Sequence, residues 1–155
     1  MFLAKLAEVL STEGENRVAM MFIDSAFGAP YVERLWGLGF PDRVMEVSFG
    51  GQSRDRHQAN MRAFMWHQLK EWLSKGTIPE RDTLLEIGLT SPGFHINRQN
   101  QLVIESKQEM AKRGVASPDD ADALALTFAH PVAPPRYDFY DPPNRFSGSE
   151  YGWMR

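Results

Sequence analysis

VAMMFID, residues 18–24, is a short and continuous apolar run that ends in a carboxylate. Such a run is typical of a strand that is covered on both faces, as strands of parallel sheets are. A second strand-like segment, VMEVSF, occupies residues 44–49, and helical patterns occupy residues 2–10 and 31–38. This order of helix, strand, helix and strand predicts a parallel α/β sheet with right-handed crossovers.

Turn residues and periodicity predict the rest of the chain. Residues 25–30 (SAFGAP) are predicted as a turn after the first strand. Downstream, the pattern predicts a long helix over about 57–75, a segment over 83–89 that is ambiguous between helix and strand, a hairpin of residues 94–97 and 102–105, a short helix over 106–113 and a last helix from 117 to about 130. In the last helix, Ser117 is predicted as the N-cap and Pro118 as the first helical residue.

Length and composition predict one soluble domain. The chain has 155 residues, of which 43% are apolar and 24% charged, and its net charge is −3. It holds no cysteine, and no apolar run is long enough to span a membrane. Lys5 and Glu8 interrupt the first ten residues, which therefore do not resemble a signal peptide. We expect a cytoplasmic protein with a domain over 1–130 and an extended tail, rich in proline and aromatic residues, over 131–155.

Three carboxylates are candidates for a metal site. Asp24 ends the first strand, where open α/β sheets place ligands, although aspartate is also a common turn residue there. Asp119 and Asp122 are three residues apart and share one helix face, although the helix dipole also favours acidic residues in a first turn. Two carboxylates on one face and a third at a strand end need a cation to offset their repulsion, and Mg²⁺ prefers such oxygen ligands.

Basic residues in the hairpin and the short helix are candidates for phosphate contacts. Between residues 98 and 113, two acids face four cations, a local surplus of two positive charges that also suits a solvated surface; the cations are Arg98, Lys107, Lys112 and Arg113. Other chemistries are not indicated: the histidines lack the HExxH spacing of a zinc site, and neither a GxxxxGK[ST] phosphate loop nor a GxSxG motif occurs.

Several segments carry a family resemblance. VAMMFIDSAFGAPYVERLWGLGF, VMEVSFGG, NMRAFMWHQLKEWLSKGTIP and LVIESKQEMAKRGVASPDDADALALTFAH, in this order, resemble the nuclease domain of the terminase large subunit of tailed bacteriophages. The similarity covers the chain from near its start to about His130. The pattern ESKxxMxxRG…SPDxADAL, between Glu105 and Leu124, is its most specific part.

The resemblance implies a ribonuclease H-like mixed sheet flanked by helices and a two-metal endonuclease that uses Mg²⁺ or Mn²⁺. Asp24 matches the second-strand acid of the family, and Asp119 matches the acid at the start of its last helix. Asp122 falls on the second aspartate of a DxxDAL pattern that is similar to Holliday-junction resolvases of the same fold. The implied partners are double-stranded DNA, a portal or small terminase subunit, and an upstream ATPase domain or chain, in the cytoplasm of a phage-infected or lysogenic host.

The chain departs from the family pattern at its start. The first strand of the family, which carries the first metal-binding aspartate, would precede Phe2, and the ATPase half is also missing. We therefore expect a fold that is N-terminally truncated relative to the family, and a chain that nicks DNA slowly or not at all by itself. Two alternatives stay open at this point: a non-catalytic module that binds DNA or the packaging machinery, and a Holliday-junction-resolvase-like nuclease.

Overall fold

A computed structural model describes residues 1–133, and the predicted tail lies outside the described residues from position 134 onward. The described part is mixed α/β. In chain order its elements are α1 (Phe2–Leu10), β1 (Met21–Asp24), α2 (Ser25–Gly37), β2 (Val44–Val47), α3 (Met61–Leu73), α4 (Thr83–Thr90), β3 (Phe94–Ile96), β4 (Leu102–Ile104), α5 (Lys107–Lys112) and α6 (Asp119–Leu126). None of the helices within residues 1–133 is long and apolar enough to cross a membrane.

Strands β1 and β2 form the predicted parallel pair, with Met21 opposite Val44 and Asp24 opposite Val47. The strand begins at Met21 rather than at residue 18, and all four of its side chains are only half-buried. The strand has a hydrophobic core on each face, as predicted, although none of its side chains is fully buried. Among residues 1–133, β2 is the only strand that pairs with β1, so the other edge of β1 has no hydrogen-bonded neighbour strand there.

The β1–β2 sheet separates two hydrophobic cores. The first core lies against α1 and α2, and its buried members are Leu10, Val32, Leu35 and Val44. The second lies against α3 and α6, and its buried members are Val47, Met61, Met65, Leu69, Ala125 and Ala129. Along β1, Met21 and Ile23 pack on the first core and Phe22 packs on the second, as alternation in a strand requires. The sheet thus has helices on both faces.

The segment SAFGAP forms the first half of α2, so the prediction of a turn over residues 25–30 was wrong. The side chain of Asp24 caps this helix by accepting a hydrogen bond from the amide of Ala26 at 3.2 Å. Pro30 is tolerated inside the helix although it removes one backbone hydrogen bond. Gly28 allows close packing, because a Cβ there would lie 2.1 Å from Cγ2 of Ile23. The glycine that suggested a turn therefore serves a helix–strand contact.

The other predicted elements are found with changed ends. Helix α3 begins at Met61, where Asn60 caps it, and the ambiguous segment forms the helix α4. The predicted hairpin is confirmed, with Phe94 opposite Ile104, and helix α5 is confirmed with a capping box of Ser106 and Glu109. Helix α6 ends at Leu126 instead of near residue 130.

The start of α6 also differs from the prediction. Pro118 is its N-cap, and Asp119 is its first residue. The hydroxyl of Ser117 donates a hydrogen bond to the carboxylate of Asp119 at 2.7 Å instead of capping the helix. The predicted cap at Ser117 was wrong because a nearby side-chain carboxylate competes with the helix amides for this hydroxyl.

Candidate functional site

Asp122 is a buried carboxylate that accepts hydrogen bonds from α3 and forms an ion pair with α5. Its side chain is 5% exposed. One oxygen, Oδ1, accepts from Nε of Arg62 at 3.1 Å and from the indole nitrogen of Trp66 at 2.9 Å. The other oxygen, Oδ2, lies 3.4 Å from Nη2 of Arg62 and 3.3 Å from the ammonium nitrogen of Lys107. Both oxygens are therefore engaged by donors of this chain.

The arrangement follows from how α3 and α6 pack. Arg62 and Trp66 are four residues apart and so lie on one face of α3. On α6, Ala125 is fully buried in the same hydrophobic core as Met61 and Met65 of α3, and its small side chain lets the two helices approach closely. Asp122 then meets the donors of α3 across the helix interface. The guanidinium of Arg62 also donates to the carbonyl oxygen of Glu105 and lies over the ring of Trp66, 5.9 Å from its centre.

Asp119 is the exposed carboxylate of the same helix face. Its side chain is 74% exposed, and its Oδ1 accepts from the ammonium of Lys107 at 2.7 Å and from the hydroxyl of Ser117 at 2.7 Å. Two hydrogen bonds hold the pKa of Asp119 below its usual value, and the one from Lys107 has a larger effect than the one from Ser117. The prediction that Asp119 and Asp122 share a face is confirmed, and Lys107 joins them.

Lys107 begins α5 and places its ammonium between the two carboxylates. The side chain is about half-exposed. Partial burial lowers the pKa of Lys107, but the hydrogen bond with Asp119 and the charges of Asp122 and Asp119 outweigh this effect, so that the net shift is upward. The ammonium therefore stays charged at neutral pH.

Asp24 lies at the end of β1 and is half-buried. Its carboxylate accepts the amide of Ala26, as described above. Helix α6 contacts β1, but within residues 1–133 no hydrogen bond or ion pair links Asp24 to Asp119 or Asp122. The structure thus joins two of the three predicted acids through Lys107 and leaves Asp24 outside their network.

The other predicted cations are separate from this network. Arg113 forms a two-bond ion pair with Glu105, at 2.6 and 2.7 Å, which together with the amide of Gly93 lowers the pKa of Glu105 to about 2. Arg98 is exposed in the turn between β3 and β4. Of the three cations, only Lys107 touches the candidate carboxylates in the described part of the chain.

Arg62 and Trp66 are site residues that the sequence analysis missed. Each directly follows a core residue of α3, Met61 or Met65, and the two are spaced at i and i+4. An arginine at the border of an apolar helix face is a signal for a buried acidic partner. That signal could have indicated that Arg62 has a buried acidic partner. It could not have indicated that this partner is Asp122, 60 residues away.

The donor set fits a hard divalent cation in part. Carboxylate oxygens suit Mg²⁺ and Mn²⁺, but the ammonium of Lys107 already neutralises Asp119 and would repel a cation there. Asp24 uses a single hydrogen bond from Ala26, whereas Asp122 has both oxygens engaged. Among residues 1–133, no group of three or more His, Cys, Asp or Glu side chains is arranged to hold a metal ion. Asp24 and Asp119 therefore fit better than Asp122 does.

Comparison with protein-family models gives no match for this chain. Comparisons with curated proteins and with solved structures give no significant match either.

Proposed function

We propose that this chain is the metal-dependent endonuclease domain of a viral DNA-packaging terminase large subunit, with a ribonuclease H-like fold, and that it hydrolyses phosphodiester bonds of concatemeric double-stranded DNA. One observation supports the proposal most. The segment with the most specific resemblance, from Glu105 to Leu124, folds so that the side chains of Lys107, Asp119 and Asp122 meet. A charged cluster at this point is what a site for a cation and a phosphate requires.

The proposal assigns distinct tasks to the carboxylates. Asp24 and Asp119 are the residues that would hold the divalent cations, Mg²⁺ or Mn²⁺. Bound cations of this kind activate a water molecule and stabilise the leaving oxygen of a phosphodiester. Asp122, which is buried and engaged, holds Arg62 and Lys107 in place behind this site. Its proposed part is thus to position cationic side chains, whereas the resemblance implied that it binds metal.

Cationic side chains would supply the contacts to DNA. Lys107 and Arg98 are exposed enough to approach a phosphate, whereas Arg113 is engaged by Glu105. Phosphate contacts of this type give affinity without sequence preference and weaken as salt rises. The proposed partners are an ATPase domain or chain and a portal or small terminase subunit, in the host cytoplasm.

The test measures Mn²⁺ binding by titration calorimetry and plasmid nicking in the same preparations. Asp24→Asn and Asp119→Asn should each weaken Mn²⁺ binding and abolish any nicking. Asp120→Asn is the matched control, because Asp120 is an exposed acid next to Asp119 that takes no part in the network. Equal Mn²⁺ affinity in all four proteins would contradict the proposed site. Linear and four-way DNA, compared in parallel, separate this function from that of a junction resolvase.

A second candidate function is a non-catalytic module that binds DNA or the packaging machinery. It is favoured by the engagement of both Asp122 oxygens and by the absence, within residues 1–133, of a cluster of three metal-binding side chains. If this candidate is correct, the chain slows the migration of DNA in an electrophoretic mobility assay that contains EDTA. It then shows no Mn²⁺ binding. Lys107→Gln would then weaken DNA binding without any effect of metal.

A further inference from the structure

A cavity lies between α3, the end of α4 and the β3–β4 hairpin. Its volume is about 310 Å³, near the lower end of the range for pockets that bind small ligands. Apolar side chains form most of its wall, and those contributed by α3 and the hairpin are Trp66, Leu69, Leu73, Phe94, Leu102 and Ile104. Phe94 and Ile96 lie on one side of β3, two residues apart, and both are exposed within residues 1–133. This α3–hairpin cavity therefore has an open side that apolar residues line.

The charged residues of the α3–hairpin cavity favour an anionic occupant. Within residues 1–133, the titratable residues that line it are His67 and Lys70, and no acid lines it. Lys70 is exposed, so its ammonium reaches solvent beside the cavity. The indole of Trp66 is held by its hydrogen bond to Asp122, so this part of the wall is ordered before an occupant arrives. An occupant with aromatic groups beside negative charges would match both the wall and the cationic rim.

The sequence contains such a segment after the described residues. Residues 137–141 read YDFYD, in which two aspartates stand among three aromatic residues. No stretch of the sequence outside this segment has three aromatic residues within five positions. The segment begins four positions after Ala133, the last described residue. The chain itself therefore supplies an occupant with the required composition.

The length of chain between Ala133 and this segment is sufficient to reach the cavity. Val132 and Gln68 line a common hollow, so the described chain ends beside α3. Gln68 and Lys70 are two residues apart and lie about 160° apart around the helix, which is about 15 Å along the surface of a helix about 11 Å wide. Six extended residues, from Ala133 to Phe139, span about 20 Å. Phe139 can thus reach the side of α3 that faces the cavity.

We propose that residues 137–141 dock in the α3–hairpin cavity of their own chain, with Phe139 against its apolar wall and an aspartate, Asp138 or Asp141, facing Lys70. A segment joined by a short linker has an effective concentration of about 1 mM at its site. A contact with a dissociation constant of about 1 mM therefore fills half of the cavities. Docking also covers the exposed apolar side of the hairpin, which otherwise favours association between copies.

The experiment is disulfide trapping in the full chain, which has no cysteine of its own. Leu73→Cys and Tyr140→Cys are introduced together, because Leu73 lines the cavity and Tyr140 adjoins Phe139. Under mild oxidation this pair should form a disulfide within one chain, several-fold faster than the control and at a rate independent of protein concentration. The matched control pairs Tyr140→Cys with Leu84→Cys, since Leu84 is an exposed leucine that does not line the cavity. Thermal melts identify any variant that is not folded.

Charge reversal tests the contact with Lys70. Lys70→Glu should slow formation of the trapped disulfide about fivefold, since an exposed ion pair contributes only modestly to binding. Adding Asp138→Lys and Asp141→Lys to the Lys70→Glu variant should restore the rate.

Dye binding gives a second measurement that changes no residue within 1–133. Phe139→Ala with Tyr140→Ala should vacate the cavity and so increase the fluorescence of the apolar dye anilinonaphthalene sulfonate. Phe146→Ala with Tyr151→Ala is the matched control, because it removes two aromatic residues outside the segment, and it should leave the fluorescence unchanged.

Each alternative outcome would overturn the proposal. Equal trapping rates for the Leu73 and Leu84 pairs would do so, as would unchanged dye binding after Phe139 and Tyr140 are replaced. Disulfide-linked dimers whose yield rises with protein concentration would overturn docking within one chain and assign the cavity to the segment of a second copy. The proposed endonuclease is tested separately, since none of the residues proposed to hold cations or phosphate lines this cavity.

Discussion

Replacing Asp122 by alanine should destabilise the protein more than any other change at the candidate site. The substitution removes the acceptor of the Arg62 guanidinium and of the Trp66 indole, both of which then face a vacated position between α3 and α6. The side chain of Arg62 is only 10% exposed, so water does not readily replace the lost carboxylate. The buried guanidinium keeps its charge because arginine does not deprotonate.

The expected loss of stability in Asp122→Ala depends on the contacts that Arg62 keeps. Breaking a buried ion pair by removing one partner costs about 3–5 kcal/mol. Arg62 keeps its hydrogen bond to the carbonyl of Glu105 and its contact with the Trp66 ring, which places the expected loss near the lower end, at about 3 kcal/mol. The contact of Lys107 with Asp122 adds little, since the lysine is half-exposed.

Urea unfolding followed by far-ultraviolet circular dichroism provides the measurement. A loss of about 3 kcal/mol lowers the midpoint by about 1–3 M for the slopes typical of small domains. Asp120→Ala is the control, and as an exposed first-turn acid it should cost no more than about 1 kcal/mol. Equal losses in the free energy of unfolding of Asp122→Ala and Asp120→Ala would contradict this prediction. An apolar double variant, Arg62→Met with Asp122→Leu, should recover part of the loss, because it removes the unpaired charge.

Two further predictions concern stability away from the cluster. The pKa of Glu105 is lowered from 4.5 to about 2, so its contribution to stability is fully present above pH 4.5 and is lost as the pH falls toward 2. Urea midpoints measured between pH 5 and pH 2 should therefore fall less steeply in Glu105→Gln than in the wild type, and parallel curves would contradict this. Gly28→Ala should cost about 1–3 kcal/mol because the new Cβ would collide with Ile23, whereas Gly37→Ala, which meets no atom within 4 Å, should be neutral or stabilising in the same unfolding assay.

Local signals predicted most of the secondary structure, and long-range contacts explain the errors. The hairpin and α5 were predictable because their turn and capping residues act within a few positions of the chain. The prediction of a turn over SAFGAP was wrong because Gly28 is needed for close packing of the helix against Ile23, and a turn does not require it. The half-buried state of β1 depends on which strands pair with it, which composition does not show.

The same distinction holds for the candidate site. Spacing alone predicted that Asp119 and Asp122 share a helix face, because three residues make almost one helical turn. The cations that meet them come from α3 and α5, and Arg62 is 60 residues away from Asp122 in the chain. Sequence spacing could not distinguish the engaged acid from the exposed one. That difference appears only when α3 packs on α6.

The cluster has a gradient of exposure that separates structural from exchangeable interactions. The side chain of Asp122 is 5% exposed, that of Lys107 is 49% exposed and that of Asp119 is 74% exposed. Burial makes the loss of one partner of the Arg62–Asp122 pair costly, because the other charge is left without solvent. Solvent screens the exposed pair of Lys107 and Asp119. Lys107 can therefore exchange Asp119 for solvent while the pair of Arg62 and Asp122 keeps α3 and α6 together. A single cluster can thus hold the fold through its buried acid and leave its other acid accessible to solvent, since the two acids differ in burial.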